Sequence, residues 1–287
     1  DVKYATNVDD VTFKDVTLTS KRQFARIMEM SAVTGEEAES LIDNIVFDDI
    51  TLPDGYDQYA FVTKANIGNL SFINSTLVMH TGYFISDISA TWGKVAKITF
   101  DNCDLNFTTA EFIYYRYATI IDEILINDSI GVFSGGKLIE TDLDPTIKKL
   151  TIDNSQISTI ANVELINVYG AKYFENGIFA TGSTFSALYI MVRANIAAGG
   201  ADTIVTLHNC AFATSIATVI SIGSAGNNID FISTGTTYIE PSGSLFYNEQ
   251  TIGDLDINLS SSSGTVTAAK VRSSAKVTVT ACDLPYV

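Results

Sequence analysis

An all-β fold, a right-handed single-stranded parallel β-helix (solenoid) of about 10–11 rungs, is predicted for this chain by three features of its sequence. One short segment recurs along all 287 residues. Its period falls in the twenties, the range of solenoid repeats. Between its copies no apolar run has the length and spacing of a helix, which leaves no room for ankyrin, leucine-rich or other helical repeats.

The unit is clearest at Ile98-Thr-Phe-Asp-Asn-Cys-Asp-Leu105. It returns as Val11-Thr-Phe-Lys-Asp-Val-Thr-Leu18, Ile45-Val-Phe-Asp-Asp-Ile-Thr-Leu52, Leu150-Thr-Ile-Asp-Asn-Ser-Gln-Ile157 and Val205-Thr-Leu-His-Asn-Cys-Ala-Phe212. The small residue before the last polar-apolar pair serves as a marker. The markers are Val16, Ile50, Ser75, Cys103, Ser129, Ser155, Ser183, Cys210, Thr236 and Cys282, and from Ile50 to Thr236 they are spaced by 25 to 28 residues.

The first half of each unit alternates apolar and polar, which puts one set of side chains on one face of a strand. Val, Ile, Phe and Thr fill it, residues that suit a pleated, half-buried surface. The Asn or Asp that follows tolerates a left-handed backbone and turns the strand. In two looser copies Gly182 and Gly235 take that position, as the same turn would allow. A second apolar run follows each marker, for example Tyr83-Phe-Ile85, Phe112-Ile-Tyr-Tyr115, Leu138-Ile139 and Val163-Glu-Leu-Ile166. Stacking like strands in parallel buries one continuous interior in a rod of roughly 50 Å, so a single domain over 1–287 suffices.

The period breaks once, in the 34-residue step from Val16 to Ile50. Phe24, Ile27 and Met28 have helical spacing, and Glu36, Glu37 and Glu39 suit a first helical turn. A short helical or irregular insertion at about 20–43 is expected, acting as an end cap or side insertion because an open end exposes strand edge and apolar interior, with a binding element as the alternative. The first strand begins almost at Asp1, which leaves an upstream domain as a further expectation.

The net charge of −16 argues against nucleic acid, whose phosphates require basic clusters. No apolar stretch reaches the roughly 20 residues of a transmembrane helix. Cys103, Cys210 and Cys282 all occupy the marker slot, four and three rungs apart. That separation, roughly 14 to 20 Å, is too great for a disulfide or for ligands converging on one metal. Three free thiols acting as small core fillers are expected, with no metal and no cofactor.

Asp15, Asp49, Asn74, Asn102, Asp128, Asn154 and Asn209 form the turn column, read as a structural ladder of stacked polar side chains. Asp48, Asp101 and Asp153 form a neighbouring column with Ile73 and Asn127 between them. Roughly 9 to 10 Å between alternate carboxylates is wide for paired acid/base work. His80 and His208 occupy different rungs and different parts of the repeat, so no nucleophile-histidine-acid grouping forms around them.

The grouping with functional content is aromatic. Tyr83, Tyr114, Tyr115 and Tyr189 cluster on the second strands of different rungs, with Arg116 and Arg193 among them. Stacked coils would bring them into a band along one side of the rod, a groove suited to sugar rings. The alternation is ambiguous: if Ile85, Ile113, Ile139, Leu165 and Ile220 form the interior set, Phe112 and Tyr114 face outward.

The repeated apolar-x-apolar-x-Asn-Ser/Cys-x-apolar unit resembles the right-handed parallel β-helix of the pectate-lyase-like superfamily over essentially the whole chain. Its Asn-Cys and Asn-Ser turns and the ending Cys282-Asp-Leu-Pro-Tyr-Val287 resemble uncharacterised secreted β-helix domains of gut Bacteroidetes. The resemblance implies an extracellular or bacterial cell-envelope location, with any signal or lipid-anchor segment upstream of Asp1, and a polysaccharide ligand. It supplies no catalytic site. The Asn-Thr-Asp, Gly-Asp-Asp, Gly-His-Gly and Arg-Ile-Lys motifs of polygalacturonases are missing from the sequence, and fold alone does not assign activity. The expectation is a monomeric, non-catalytic, glycan-binding surface or secreted protein. A divergent polysaccharide lyase or glycoside hydrolase using Asp101, Asp153 or Arg116 is the first alternative. A structural spacer or adhesin stalk is the second.

Overall fold

The computed structural model describes residues 7–17, 28–31, 41–52, 57–64, 66–86, 93–116, 119–142, 146–159, 164–170, 174–186, 190–196, 202–212, 218–222, 228–238, 244–248, 255–264 and 275–283. Their strands form a parallel β-solenoid with a 20-stranded first sheet and a 9-stranded second sheet. One coil shows the pattern: Asn66–Ile73 and, after a turn, Thr76–Met79 lie in the first sheet, and Thr81–Ser86 crosses to the second. The next coil repeats it in parallel register, with Leu70 on Ile98, Phe72 on Phe100, Leu77 on Leu105 and Ile85 on Ile113.

The turn column has the backbone that its composition implies. Asp15, Asp49, Asn74, Asn102, Asp128, Asn154 and Asn209 all have φ between 46° and 55°, a region that only small polar residues and glycine enter cheaply. Ser261 and Ala281 adopt it as well, at 50° and 51°. Gly182 and Gly235 serve a second need. A Cβ there would lie 2.6 Å from Asn154 Oδ1 and 2.3 Å from Asn209 Oδ1, so each glycine makes space for the amide of the coil before it. Direct ladder bonds also occur, from Asn102 Nδ2 to Asn74 Oδ1 at 2.7 Å and from Asn74 Nδ2 to Asp48 Oδ1 at 3.1 Å.

The marker slot does more than fill space. A left-handed turn leaves backbone groups without partners, and buried ones must be satisfied. Ser129 Oγ donates to Asn127 O within its own coil and accepts the N–H of Cys103 from the preceding one. Ser155 likewise donates to Asp153 O and accepts from Ser129 N, and Ser183 donates to Thr181 O and accepts from Ser155 N. Cys103 and Cys210 are buried free thiols that donate back to Phe72 O and Ala180 O, and Cys282 is a free thiol that is partly exposed.

Stacking of like positions builds the interior. Phe13, Phe47, Phe72 and Phe100 pile face to face with centroids 4.9, 5.0 and 5.2 Å apart, and Phe185, Phe212 and Tyr238 do so at 5.2 Å each. Each aromatic pair is worth about 0.5–1.5 kcal/mol beyond its buried area. The buried Tyr238 hydroxyl bonds Ser233 Oγ at 2.8 Å, which in turn bonds Ser262 Oγ at 3.2 Å.

Two expectations need correction. Met28–Ser31, expected inside a helical or irregular insertion, is a strand that opens the second sheet and pairs with Phe61–Lys64. The strand Leu41–Thr51 has begun by Leu41, and the remainder of 20–43 falls outside the described residues. The second correction concerns the second sheet. Phe112 and Ile113 are both wholly buried, as are Phe84 and Ile85, and Leu165 and Ile166. The N–H groups of Phe112 and Ile113 both donate to the next coil, to Lys137 O and Leu138 O, where regular alternation would send them opposite ways. The two-residue alternation breaks at that step, so Phe112 faces inward while Tyr114 faces outward.

Candidate functional site on the outer face of the second sheet

The break leaves Glu111 and Tyr114 of the strand Glu111–Tyr115 outward and everything between them inside. Parallel register then defines an outer column of Ser86, Tyr114, Glu140 and Asn167, continuing through the register positions of Arg193 and Ser221. In-register parallel partners point to the same side. Tyr83 occupies the position of Glu111 one coil earlier.

Tyr83 and Tyr114 stack with centroids 4.1 Å apart and planes 19° from parallel. Each ring therefore covers one face of the other. Burial, reinforced by Tyr83, Asp142 and Glu140, pushes the Tyr114 phenol up to about 12, against the opposing pull of Arg116. It stays a neutral hydroxyl throughout the physiological range.

Beside this pair lies a compact charged cluster. Glu111 Oε2 accepts the Lys137 backbone N–H at 2.6 Å, and Lys137 Nζ reaches Glu140 Oε1 at 2.5 Å. Burial first, then the negative charge of Glu140, push Glu111 up to about 8 against the opposing pull of Lys137. Further out, Arg116 Nε lies 3.6 Å from Asp142 Oδ2 with both side chains about half exposed, a contact that adds little stability.

Two polar atoms on the column lack partners. Asn167 is only 6% exposed, and its Oδ1 meets no donor. Ser86 is fully buried, and its Oγ is likewise unmatched. A buried polar group left this way costs about 1–3 kcal/mol, so each calls for an explanation.

The residues expected in the aromatic band part company here. Tyr83, Tyr114 and Arg116 come together. Tyr115 does not join them: it is wholly buried, in register with the buried Thr141, because the strand turns inward again after Tyr114. Tyr189 lies outside the described residues, as does the side chain of Arg193. Glu111, Lys137, Glu140, Asn167 and Ser86 were not foreseen. Their one signal is a polar or charged residue beside an apolar run, as in Leu138-Ile-Glu140, at corresponding positions of successive coils.

Other candidates are occupied by structural roles. Asp101 accepts Asn127 Nδ2 at 2.7 Å, and Asp153 lies between Asn127 and Thr181 in the first sheet. His80 Nδ1 contacts Thr108 Oγ1 at 3.4 Å, and the exposed His208 contacts Asn209 at 3.1 Å. Burial pushes the Cys103 thiol up to about 11 and raises that of Cys210, which suits inert core thiols. A shallow polar depression of about 250 Å³ follows the turn column past Asn74, Asn102, Asp104 and Asp128. Its Asn74 and Asn102 amides already bond one another. Among the described residues no three His, Cys, Asp or Glu side chains gather as metal ligands, and no helix is long and apolar enough to cross a membrane.

No protein-family model matches the chain, and comparison with curated proteins and with solved structures finds no match.

Proposed function

We propose that this β-solenoid is a secreted or cell-envelope protein that binds glycan without cleaving it, acting as a monomer through the outer face of its second sheet. The observation that carries this reading is the outward Tyr83–Tyr114 stack flanked by Glu140, Lys137 and the Arg116–Asp142 pair. Aromatic edges beside hydroxyl, carboxylate and amide groups meet the alternating apolar and hydroxyl surfaces of a sugar. The likeness of the repeat to the pectate-lyase-like superfamily and to secreted Bacteroidetes domains supports the same location and ligand class. A lyase or hydrolase would find Glu111 protonated at neutral pH, which favours an acid role. However, Lys137 already engages both carboxyls, Glu111 through its backbone N–H and Glu140 through its ammonium, which fits a structural cluster better than an acid/base pair flanking a scissile bond.

Glycan-array binding with Tyr114→Ala as the comparison tests the reading. Binding that falls at least about tenfold in the variant is the expected result, about 1.4 kcal/mol. Absence of binding to every plant, host and microbial glycan would eliminate it in favour of a spacer or adhesin stalk. Release of reducing or unsaturated sugar would favour the enzyme.

A further inference from the structure

We propose that the outer face of the first sheet is the contact surface for a second copy of this chain, joined antiparallel about a two-fold axis at Ile204. The inference goes beyond the glycan-binding reading. The glycan face lies on the other sheet, so each copy keeps its own and binds through it singly.

The face has two charged ends and an apolar centre. At one end the register stacks Lys97, Glu123 and Lys149, one cation more than it has carboxylates. At the other end it stacks Asp230, Asp256 and Lys276, one carboxylate more than it has cations. Asp230 and Asp256 are direct neighbours with no cation between them, and like charges so placed repel. Between the two ends the same column passes through Gly177 and Ile204. Gly177 brings no side chain, and the Phe179 ring lies over it, 2.9 Å from where a Cβ would stand. Ile204 is 42% exposed, and Ile232, in register with Thr206 one column over, is 36% exposed. Large apolar side chains grouped in the open and bordered by charge mark a contact surface.

A symmetric pair has to be complementary to itself. With the two-fold axis along the strands at Ile204, the coils of the second copy run in reverse order. Ile204 then meets Ile204 of the second copy, and Phe179 meets Ile232, its neighbour two coils on, of the second copy. Lys149 meets Asp256 and Glu123 meets Lys276, each contact occurring twice. Moving the axis half a coil toward Gly177 sets Glu123 against Asp256, and half a coil toward Asp230 sets Lys149 against Lys276. Like charges in an interface are strongly unfavourable, so charge selects the alignment at Ile204. Lys149 can serve both sides of the contact, since an ammonium has three donors and its 2.9 Å contact with Glu123 uses one.

The coils from Glu123 to Lys276 overlap over about 30 Å by 18 Å, roughly 500 Å² of each chain. A standard interface takes about 800 Å² from each partner, so the pair is weak. Chains are single at low concentration, as the glycan-binding reading has them, and pair where they are crowded.

The test is sedimentation equilibrium of the full chain at physiological salt, up to about 500 µM. A reversible monomer–dimer equilibrium is expected with a Kd on the order of 10–100 µM, weaker than the micromolar end of standard interfaces. Ile204→Asp, a surface change that sets two carboxylates face to face on the axis, should abolish it. Asp256→Lys and Lys149→Asp should each weaken it at least about tenfold. An equal mixture of those two variants should pair again, because each like-charge contact becomes an opposite-charge one in the mixed pair. If Lys149→Asp does not fold, Ile204→Asp and Asp256→Lys decide by themselves. A chain that stays single at about 500 µM overturns the inference. So does a pair that Ile204→Asp and Asp256→Lys leave unchanged, or a mixture of the two folded charge variants that stays unpaired.

Discussion

The outer faces of the two sheets carry the same residue types at the same coil spacing, yet their carboxylates behave in opposite ways. On the first sheet Glu123 lies between Lys97 and Lys149 of the adjoining coils, at 3.3 and 2.9 Å, and Asp122 lies between Lys94 and Lys148 at 2.8 and 2.9 Å. Burial alone would raise both carboxyls, but the hydrogen bonds and charge of two lysines outweigh it and hold both below their ordinary values. On the second sheet Glu111 has Lys137 beside it but shares that lysine with Glu140, and burial plus the second carboxyl drive it upward. One cation on each side gives a closed structural ladder. One cation for two carboxyls leaves an unbalanced cluster, the arrangement more often found where a ligand binds.

The sharpest way to break this contrast is to reverse the centre of the ladder. Glu123→Lys stacks three lysines, exchanging two attractions for two repulsions of about 0.2–1 kcal/mol each, and a loss of about 2–3 kcal/mol is expected in urea unfolding. A wild-type stability would show that the ladder is ornament. The next test is pH. Because Glu111 is raised in the folded protein from 4.5 to about 8, its contribution is fully present below pH 4.5 and is lost as pH rises to about 8. A decline on the order of 2 kcal/mol across that window, after allowance for solvent screening, is expected and should vanish in Glu111→Gln. Asp122 and Glu123 work in the opposite sense: their contribution is present above their unfolded values near 3.8 and 4.5 and is lost as pH falls through their lower folded values. Thermal scans from pH 3 to 9 would show both limbs.

Smaller effects separate the faces further. Raising salt to 1 M should weaken the ladder by under about 1 kcal/mol, since partly buried pairs are only partly screened. Arg116→Ala should change stability by no more than about 0.5 kcal/mol, given the half-exposed Arg116–Asp142 contact. A larger loss there would mean that the rim of the candidate site is a structural ladder after all.

The first sheet was readable because its turn makes a demand that few residues meet. A positive φ at each coil favours Asn, Asp or Gly, so the column announces itself from Asp15 to Asn209, although Ser261 and Ala281 take the same turn further on, and the Phe column follows at a fixed offset. Even there, Cys103 reads as core filler and Ser155 as a mere marker of the repeat, because side-chain bonds to backbone groups of the adjoining coil leave no mark on a hydrophobic pattern. The second sheet was not readable in the same way. Its paired inward residues, Phe84 with Ile85 and Phe112 with Ile113, defeat a period-two reading and put Phe112 inside with Ile113, while Tyr115 joins Tyr114 in the expected band through composition alone. Tyr83 and Tyr114 were legible as a pair by composition. Glu111, Lys137 and Glu140 were not, since Glu111 meets its two partners only through coil stacking that brings together residues 26 and 29 positions apart.

The serine and cysteine slot has a consequence for how this protein can be edited. The N–H of Cys103 is completed by Ser129, that of Ser129 by Ser155, and that of Ser155 by Ser183, so each of these layers leans on the one that follows it in synthesis. Excising one entire repeat from slot to slot rejoins equivalent groups and should yield a shorter rod with intact seams. Removing half a repeat would shift every inward side chain out of its stack. Length in this molecule is therefore quantised, with the whole repeat as the smallest unit that can be gained or lost.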